Sequence, residues 1–160
     1  MNKKDTVVFD LDGTLLDTLE DLKNSVNYAM TQCGYPEHTL DEVRRYVGNG
    51  ILLLMQRAIP GGKDDPNFDK AFTLFKEHYG KHCNDTTKPY AGIMELLHTL
   101  KENNIKIAIV SNKADFAVKE LNAIYFKDLI PVAIGEKESE GIRKKPAPDT
   151  VIEALKQLGS

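Results

Sequence analysis

Little in this sequence points toward a membrane, a nucleic acid or a disulfide framework. No apolar run approaches the ~20 residues needed to span a bilayer as a helix. Only Met1 to Thr6 precede the first apolar strand, too short a leader for a secretory signal. A net charge of −3 supplies no global attraction to nucleic acid or to an anionic membrane surface. There are two cysteines, Cys33 and Cys83, far apart and without metal-ligand spacing. Both fall in helical patterns, where free thiols are the expectation, and a cytoplasmic location is the simplest one. What is present is ordinary for a soluble protein: 160 residues, 41% hydrophobic and 28% charged, enough for one respectable core or two modest ones.

The chain is organised around Val7-Val8-Phe9-Asp10-Leu11-Asp12-Gly13-Thr14. A short β-branched apolar run reads as a buried strand, and in an open parallel α/β sheet the chemistry gathers at the carboxyl ends of strands. Asp10 and Asp12 stand there with i, i+2 spacing, so both carboxylates can face one pocket. Gly13 lets the chain leave the strand. Such a pair can hold Mg²⁺, attack phosphorus, or trade a proton with a leaving group. The alternative is a strand followed by an Asp-Gly turn with solvated acids. A calcium loop fits poorly, because the positions that want glycine and glutamate hold Leu15 and Asp21.

Four helical patterns then follow without a strand. Asp17 to Glu20 has capping-box spacing and opens a helix that Gly34 stops. Thr39 to Glu42 repeats the box. Ile51 to Ile59 and Phe68 to about Cys83 complete the block. A helical block placed directly after the first strand predicts a second small domain hinged over the site, a lid that excludes water. Within it, Gly48, Asn49 and Gly50 expose backbone amides, and Arg45 offers a fork for a carboxylate. A plain helix–helix turn with solvated arginines is the competing account. His78 and His82 share a helix face at i, i+4 but lack a third metal ligand.

The sheet pattern resumes with a helix from Gly92 to Asn103 and a strand from Ile105 to Val110, which ends in Ser111-Asn112-Lys113. A hydroxyl and backbone amides at that end make a phosphate cradle or, alternatively, a polar helix cap. A third strand, Ile130 to Ile134, leads through Gly135 to Arg143-Lys144-Lys145-Pro146-Ala147-Pro148, read either as a site lysine or as a solvated basic loop. Asp149 to Leu158 reads as the last helix.

Asp10-Leu11-Asp12-Gly13-Thr14, Ser111 after the second strand and Lys145 before Pro-Ala-Pro resemble, in order and placement, three signatures of the haloacid dehalogenase-like (HAD) superfamily. The loop from Arg44 to Gly50 is similar to the cap loop of the bacterial phosphoglycolate phosphatases within it. The resemblance implies an α/β fold, a HAD-like Rossmannoid parallel sheet, with a four-helix cap inserted. Its boundaries are 1–16 plus 88–160 for the core and 17–87 for the cap. It implies that Asp10 is the nucleophile and Asp12 the acid/base, and that Asp10 and the Asp12 carbonyl bind Mg²⁺. Ser111, Asn112 and Lys145 would hold the phosphate, with Arg45, Gly48, Asn49 and Gly50 toward the substrate.

The expected function is therefore a Mg²⁺-dependent phosphomonoester hydrolase of a small phosphorylated metabolite, working through an aspartyl-phosphate, with 2-phosphoglycolate as first substrate. β-Phosphoglucomutase-like and pyrophosphatase or nucleotidase activities share the same core. The family's fourth signature, an acidic strand that completes the metal site, has no counterpart before Ser160. That leaves a second expectation open: a truncated, inactive phosphate-binding or interaction module whose first strand, unpaired on one side, supports self-association.

Overall fold

The computed structural model describes residues 3–160; Met1 and Asn2, the start of the short leader, lie outside the described residues. In chain order the elements are β1 (Thr6–Phe9), β2 (Leu16–Asp17), α1 (Leu19–Gln32), α2 (Leu40–Tyr46), α3 (Ile51–Ala58) and α4 (Phe68–His82). They continue with β3 (Lys88–Pro89), α5 (Ile93–Glu102), β4 (Lys106–Ala114), α6 (Asp115–Tyr125), β5 (Val132–Glu136) and α7 (Asp149–Leu158). The chain divides into two compact units, one of residues 1–16 and 89–160 and the other of residues 17–88.

The first unit is built on a three-stranded parallel sheet in the order β1-β4-β5, which leaves β1 at an edge. Its packing follows from alternation along β4. Ile107 and Ile109 point into one cluster with Leu11, Leu97, Val118 and Leu121. Ala108 and Val110 point into the other, with Ile134 and Ala154 of α7. A strand covered on both faces must be apolar at successive positions, as this one is. Each fully buried branched side chain of this kind stabilises the fold by about 1.5–3 kcal/mol.

β4 runs further than its apolar core. Ser111, Asn112 and Lys113 remain extended, and α6 begins only at Asp115, with Ala114 as its cap and no side-chain capping bond. The polar-helix-cap account of Ser111 and Asn112 is therefore wrong. The extension is bulged: β4 advances from Val110 to Ala114 while β5 advances only from Ile134 to Glu136. Such a bulge re-aims the side chains it carries. Gly135 lies inside β5 rather than after it, for a steric reason. A Cβ there would stand 2.5 Å from both the Lys113 carbonyl oxygen and the Asp115 Cα. Only a glycine allows the bulged junction to come so close.

In the second unit, α1 presents Leu22, Val26, Ala29 and Met30 in an i, i+4, i+7, i+8 stripe. They pack with Val43, Leu54, Met55, Phe75 and Tyr79. The capping box expected on α2 forms, with Thr39 and Glu42 bonding reciprocally at 3.1 and 3.2 Å. The box expected at Asp17 does not form. Asp17 belongs to β2, Thr18 is the cap of α1, and it makes no side-chain capping bond. The acid that matters in that first turn is Asp21. It is 1% exposed. Its carboxylate accepts from the backbone N–H and hydroxyl of both Thr86 and Thr87, at 2.7 to 3.1 Å. This ties the start of α1 to the segment that enters β3. β2 and β3, where the chain passes between units, pair as a two-stranded ribbon.

Candidate active site

β1 ends at Phe9, and the chain turns within the next seven residues. The Leu11 carbonyl accepts from the backbone N–H groups of Thr14, Leu15 and Leu16 at 3.0 to 3.2 Å. Gly13 takes a φ of +77° and returns its N–H to the Leu16 carbonyl at 2.9 Å. Leu11 and Leu15 are fully buried beneath this turn. The residues between them therefore have a fixed base.

Two chains of contacts begin on the two aspartates. The Lys145 ammonium lies 3.1 Å from Asp10 Oδ1 and also donates to the Val110 carbonyl at 2.9 Å. Lys145 is held in turn by Asn112, whose amide accepts from the Lys145 N–H at 2.9 Å and donates to its carbonyl at 3.2 Å. The other chain runs from Asp12 through Lys113 to Ser111. Lys113 Nζ is 3.0 Å from Asp12 Oδ1, and the Lys113 N–H donates to Ser111 Oγ at 3.1 Å. Asp10, Asp12, Ser111, Asn112 and Lys145, separated by as much as 135 residues of numbering, thus stand in two linked networks at one end of the sheet.

The details bear on chemistry. Asp10 Oδ1 is engaged by Lys145 and by the Leu11 N–H at 2.8 Å, while Oδ2 faces no donor among the described residues. The Asp10 side chain is 46% exposed. Ser111 is buried, and because its oxygen already accepts from Lys113, its O–H hydrogen remains for another acceptor. The solvated-basic-loop account fails for Lys145, and its two neighbours are ion-paired elsewhere. Arg143 pairs with Asp149 at 2.7 Å and Lys144 with Glu138 at 3.8 Å. Just beyond the site, burial pushes the Asp115 carboxyl up, but the Gly135 N–H and the Lys119 ammonium, with Lys137 further off, outweigh it and hold the group below its ordinary value.

Lys113 was missed as a site residue. In the sequence it is one more cation after a strand, and nothing local tells that the bulge buries it. The only signal available was its place at i+2 from Ser111, the same alternation that pairs Asp10 with Asp12. On the helical unit, Gly48 and Gly50 adopt φ of +117° and +91°, and Gly50 caps α3. Asn49 accepts from the Arg57 guanidinium at 3.0 Å, and Arg57 also donates to the Tyr46 carbonyl at 2.8 Å. Arg57, not noticed in the sequence, holds this loop; Arg45 is exposed. His78 is engaged by Ser25 at 2.8 Å and stacks on Tyr28 and His82, and burial, then the neighbouring His82, pushes its pKa down.

The profile of the haloacid dehalogenase-like hydrolases matches residues 7–160. The chain belongs to that family. The phosphoglycolate phosphatase of Thiobacillus denitrificans is 32% identical over 158 residues, 96% of this chain and 69% of that protein. The phosphoglycolate phosphatase of Aquifex aeolicus is 32% identical over 157 residues, covering 96% and 70%. A predicted phosphoglycolate phosphatase from Haemophilus somnus 129pt superposes with a TM-score of 0.86 at 27% identity, over 99% of this chain and 73% of that one. These similarities make the HAD α/β fold and the phosphatase branch of the family plain. No helix among the described residues is long and apolar enough to cross a membrane.

The donor chemistry suits Mg²⁺ in kind. The Asp10 carboxylate and the Asp12 backbone carbonyl would offer it hard oxygens. Among the described residues no group of three or more His, Cys, Asp or Glu is clustered to hold a metal. A cation at Asp10 and Asp12 would therefore draw further ligands from substrate phosphate and water, as Mg²⁺ commonly does.

Proposed function

We propose that the chain is a Mg²⁺-dependent phosphomonoester hydrolase that passes through an aspartyl-phosphate on Asp10, with 2-phosphoglycolate as first candidate substrate. The observation that carries this is the 3.1 Å contact between Lys145 and Asp10 Oδ1, which pins one oxygen and leaves the other toward solvent. A carboxylate held this way is oriented for in-line attack and resists rotating out of line. The choice of substrate follows the relatives, which are phosphoglycolate phosphatases.

In the first step Asp10 Oδ2 bonds to phosphorus as the bond to the leaving oxygen breaks, and Asp12 gives that oxygen its proton. In the second, Asp12 takes a proton from water as the water attacks phosphorus, the Asp10–phosphorus bond breaks, and phosphate leaves. Ser111 donates to a phosphoryl oxygen, and Lys145 opposes its charge, so most of the catalysis is positioning and charge neutralisation. A divalent cation held by Asp10 and the Asp12 carbonyl would supply further positive charge against the phosphate. Asn112 keeps Lys145 in place from both sides of its peptide unit.

The test is phosphate release from 2-phosphoglycolate and a panel of sugar phosphates, pyrophosphate and nucleotides, with and without Mg²⁺. Release that needs Mg²⁺ and vanishes in Asp10→Asn is the expected result; appreciable turnover by that variant overturns the mechanism. On the helical unit, the exposed Arg45 fork matches a carboxylate, the group that separates 2-phosphoglycolate from sugar phosphates. Arg45→Ala should raise KM for the former alone. A second reading, a phosphate-binding module without turnover, is favoured by the lack of a three-acid cluster among the described residues. It predicts phosphate binding that Lys145→Ala weakens, with no release from any substrate.

A further inference from the structure

We infer that Lys113 is a positioning residue for proton transfer: it fixes the Asp12 carboxylate where the leaving oxygen of the substrate departs. The inference rests on the reading of Asp12 as the group that protonates that oxygen.

Three observations carry it. The Lys113 side chain is 5% exposed, yet its ammonium reaches Asp12 Oδ1 at 3.0 Å, on a carboxylate that is itself 26% exposed. A desolvated ammonium is costly unless it is paired and hydrogen-bonded, and an apolar residue would fill the same space at less expense. The cation is therefore placed for what it touches. Next, the Lys113 backbone is clamped from both sides. Its N–H is bonded to Ser111 Oγ at 3.1 Å, and its carbonyl lies so close to Gly135 that no Cβ fits there. A side chain that extends from a fixed backbone through buried surroundings to such an acceptor has little rotamer freedom left. Finally, Lys113 and Lys145 divide the work. One ammonium sits on each aspartate, so Asp12 has its own cation rather than a share of the one that serves the phosphoryl group.

The chemical consequence is specific. As the phosphorus–oxygen bond breaks, the electron pair stays on the leaving oxygen, which takes the Asp12 proton, and Asp12 becomes a carboxylate. Holding Asp12 by Oδ1 fixes the direction of that transfer. An alkyl leaving group needs the proton; a nitrophenolate does not.

The experiment compares kcat/KM, which reports on events up to leaving-group departure, for 2-phosphoglycolate and for p-nitrophenyl phosphate. Lys113→Met should lower kcat/KM for 2-phosphoglycolate by about 10- to 100-fold, a part of what a positioned general acid contributes. It should change the value for p-nitrophenyl phosphate by less than about 3-fold, because that leaving group forgoes general-acid help. Lys113→Arg should recover part of the loss. In an Asp12→Asn background, Lys113→Met should cost nothing further, since the pair acts as one unit. The slowly exchanging side-chain ammonium signal of Lys113 in a ¹H–¹⁵N spectrum should be sharp in the native chain and lost in Asp12→Asn, which reads the contact even where a variant folds poorly. Equal losses on both substrates, additive losses with Asp12→Asn, or no ammonium signal overturn the role of Lys113 while Asp10→Asn remains inactive. Turnover by Asp10→Asn, or none by the native chain on either substrate, overturns the underlying reading and this inference with it.

Discussion

Gly135→Ala is the substitution whose cost follows most directly from the packing of the sheet. The added Cβ would meet the Lys113 carbonyl oxygen and Asp115 Cα at 2.5 Å and the Asp115 nitrogen at 2.6 Å. All three are backbone atoms, so no flexible side chain can swing aside. β5 must separate from the bulged end of β4, and overpacking of this kind costs about 1–3 kcal/mol, here toward the top of the range. Separation also stretches the 2.9 Å bond from the Gly135 N–H to Asp115 Oδ1. A bond to a charged acceptor is worth about 1.5 kcal/mol or more, so the total is about 3–5 kcal/mol. With a urea dependence of about 2 kcal/mol per molar, the midpoint should fall by about 1.5–2.5 M. Urea unfolding by circular dichroism measures the shift, and amide exchange at Ile109 and Ile134 assigns it to the sheet. Phosphate release should fall as well, since Lys113 and Asp115 leave their places. A loss under about 0.5 kcal/mol, the scatter of ordinary surface changes, would mean that β4 and β5 are not packed this closely and would refute the reasoning.

Gly80 makes the opposite case: it lies exposed inside α4, nothing stands within 4 Å of where a Cβ would be added, and Gly80→Ala should stabilise by about 0.5–1 kcal/mol in a thermal melt. Asp21→Asn replaces an all-acceptor carboxylate with a group that cannot satisfy the four donors of Thr86 and Thr87; a loss of about 2–4 kcal/mol is expected, with faster amide exchange at both threonines, and a loss under about 1 kcal/mol counts against the anchor. The Arg143 guanidinium holds the Asp149 carboxyl down to about 2 from its ordinary 3.8. Because the folded value is the lower one, the unfolded chain binds the proton more readily, so this contribution is present above about pH 4 and is lost as pH falls from about 4 toward 2. Arg143→Ala should raise the Asp149 value toward its ordinary range in an NMR titration, the backbone N–H of residue 143 still holding it somewhat low, and an unchanged midpoint would show that the guanidinium does not set it.

What could be read directly was whatever is local. The apolar runs at Val7–Phe9 and Ile105–Val110 name two strands; the second is buried on both faces, whereas the first, expected to be buried, lies at the sheet edge and is half-buried, with Phe9 packed on one side and Val8 on the other. The stripe of α1 and the Thr39–Glu42 box are likewise short-range. Asp10 and Asp12, Ser111 and Lys145 stand out as candidates because they follow one another in the order and placement of three family signatures; no one of the three positions carries that meaning alone. Errors came where a local pattern met a distant partner. Asp17 to Glu20 has the letters of a capping box, but β2 takes Asp17 and the threonines near residue 86 claim the acid of that turn, Asp21. Taken alone, Ser111 and Asn112 read more readily as a helix cap than as a site, and only the pairing with β5 carries the strand on to Ala114.

By itself, then, the sequence determined the α/β class and the place of the helical block, since periodicity is a property of neighbours along the chain, and through the family resemblance it marked Asp10, Asp12, Ser111 and Lys145 as candidates. Only the tertiary structure decided that Lys113 is buried against Asp12 across 101 residues, that Lys145 reaches Asp10, and that Gly135 must be glycine. Each depends on the bulge at the end of β4 or on strands brought side by side, and steric contact between segments far apart in the chain leaves no mark on the spacing within either.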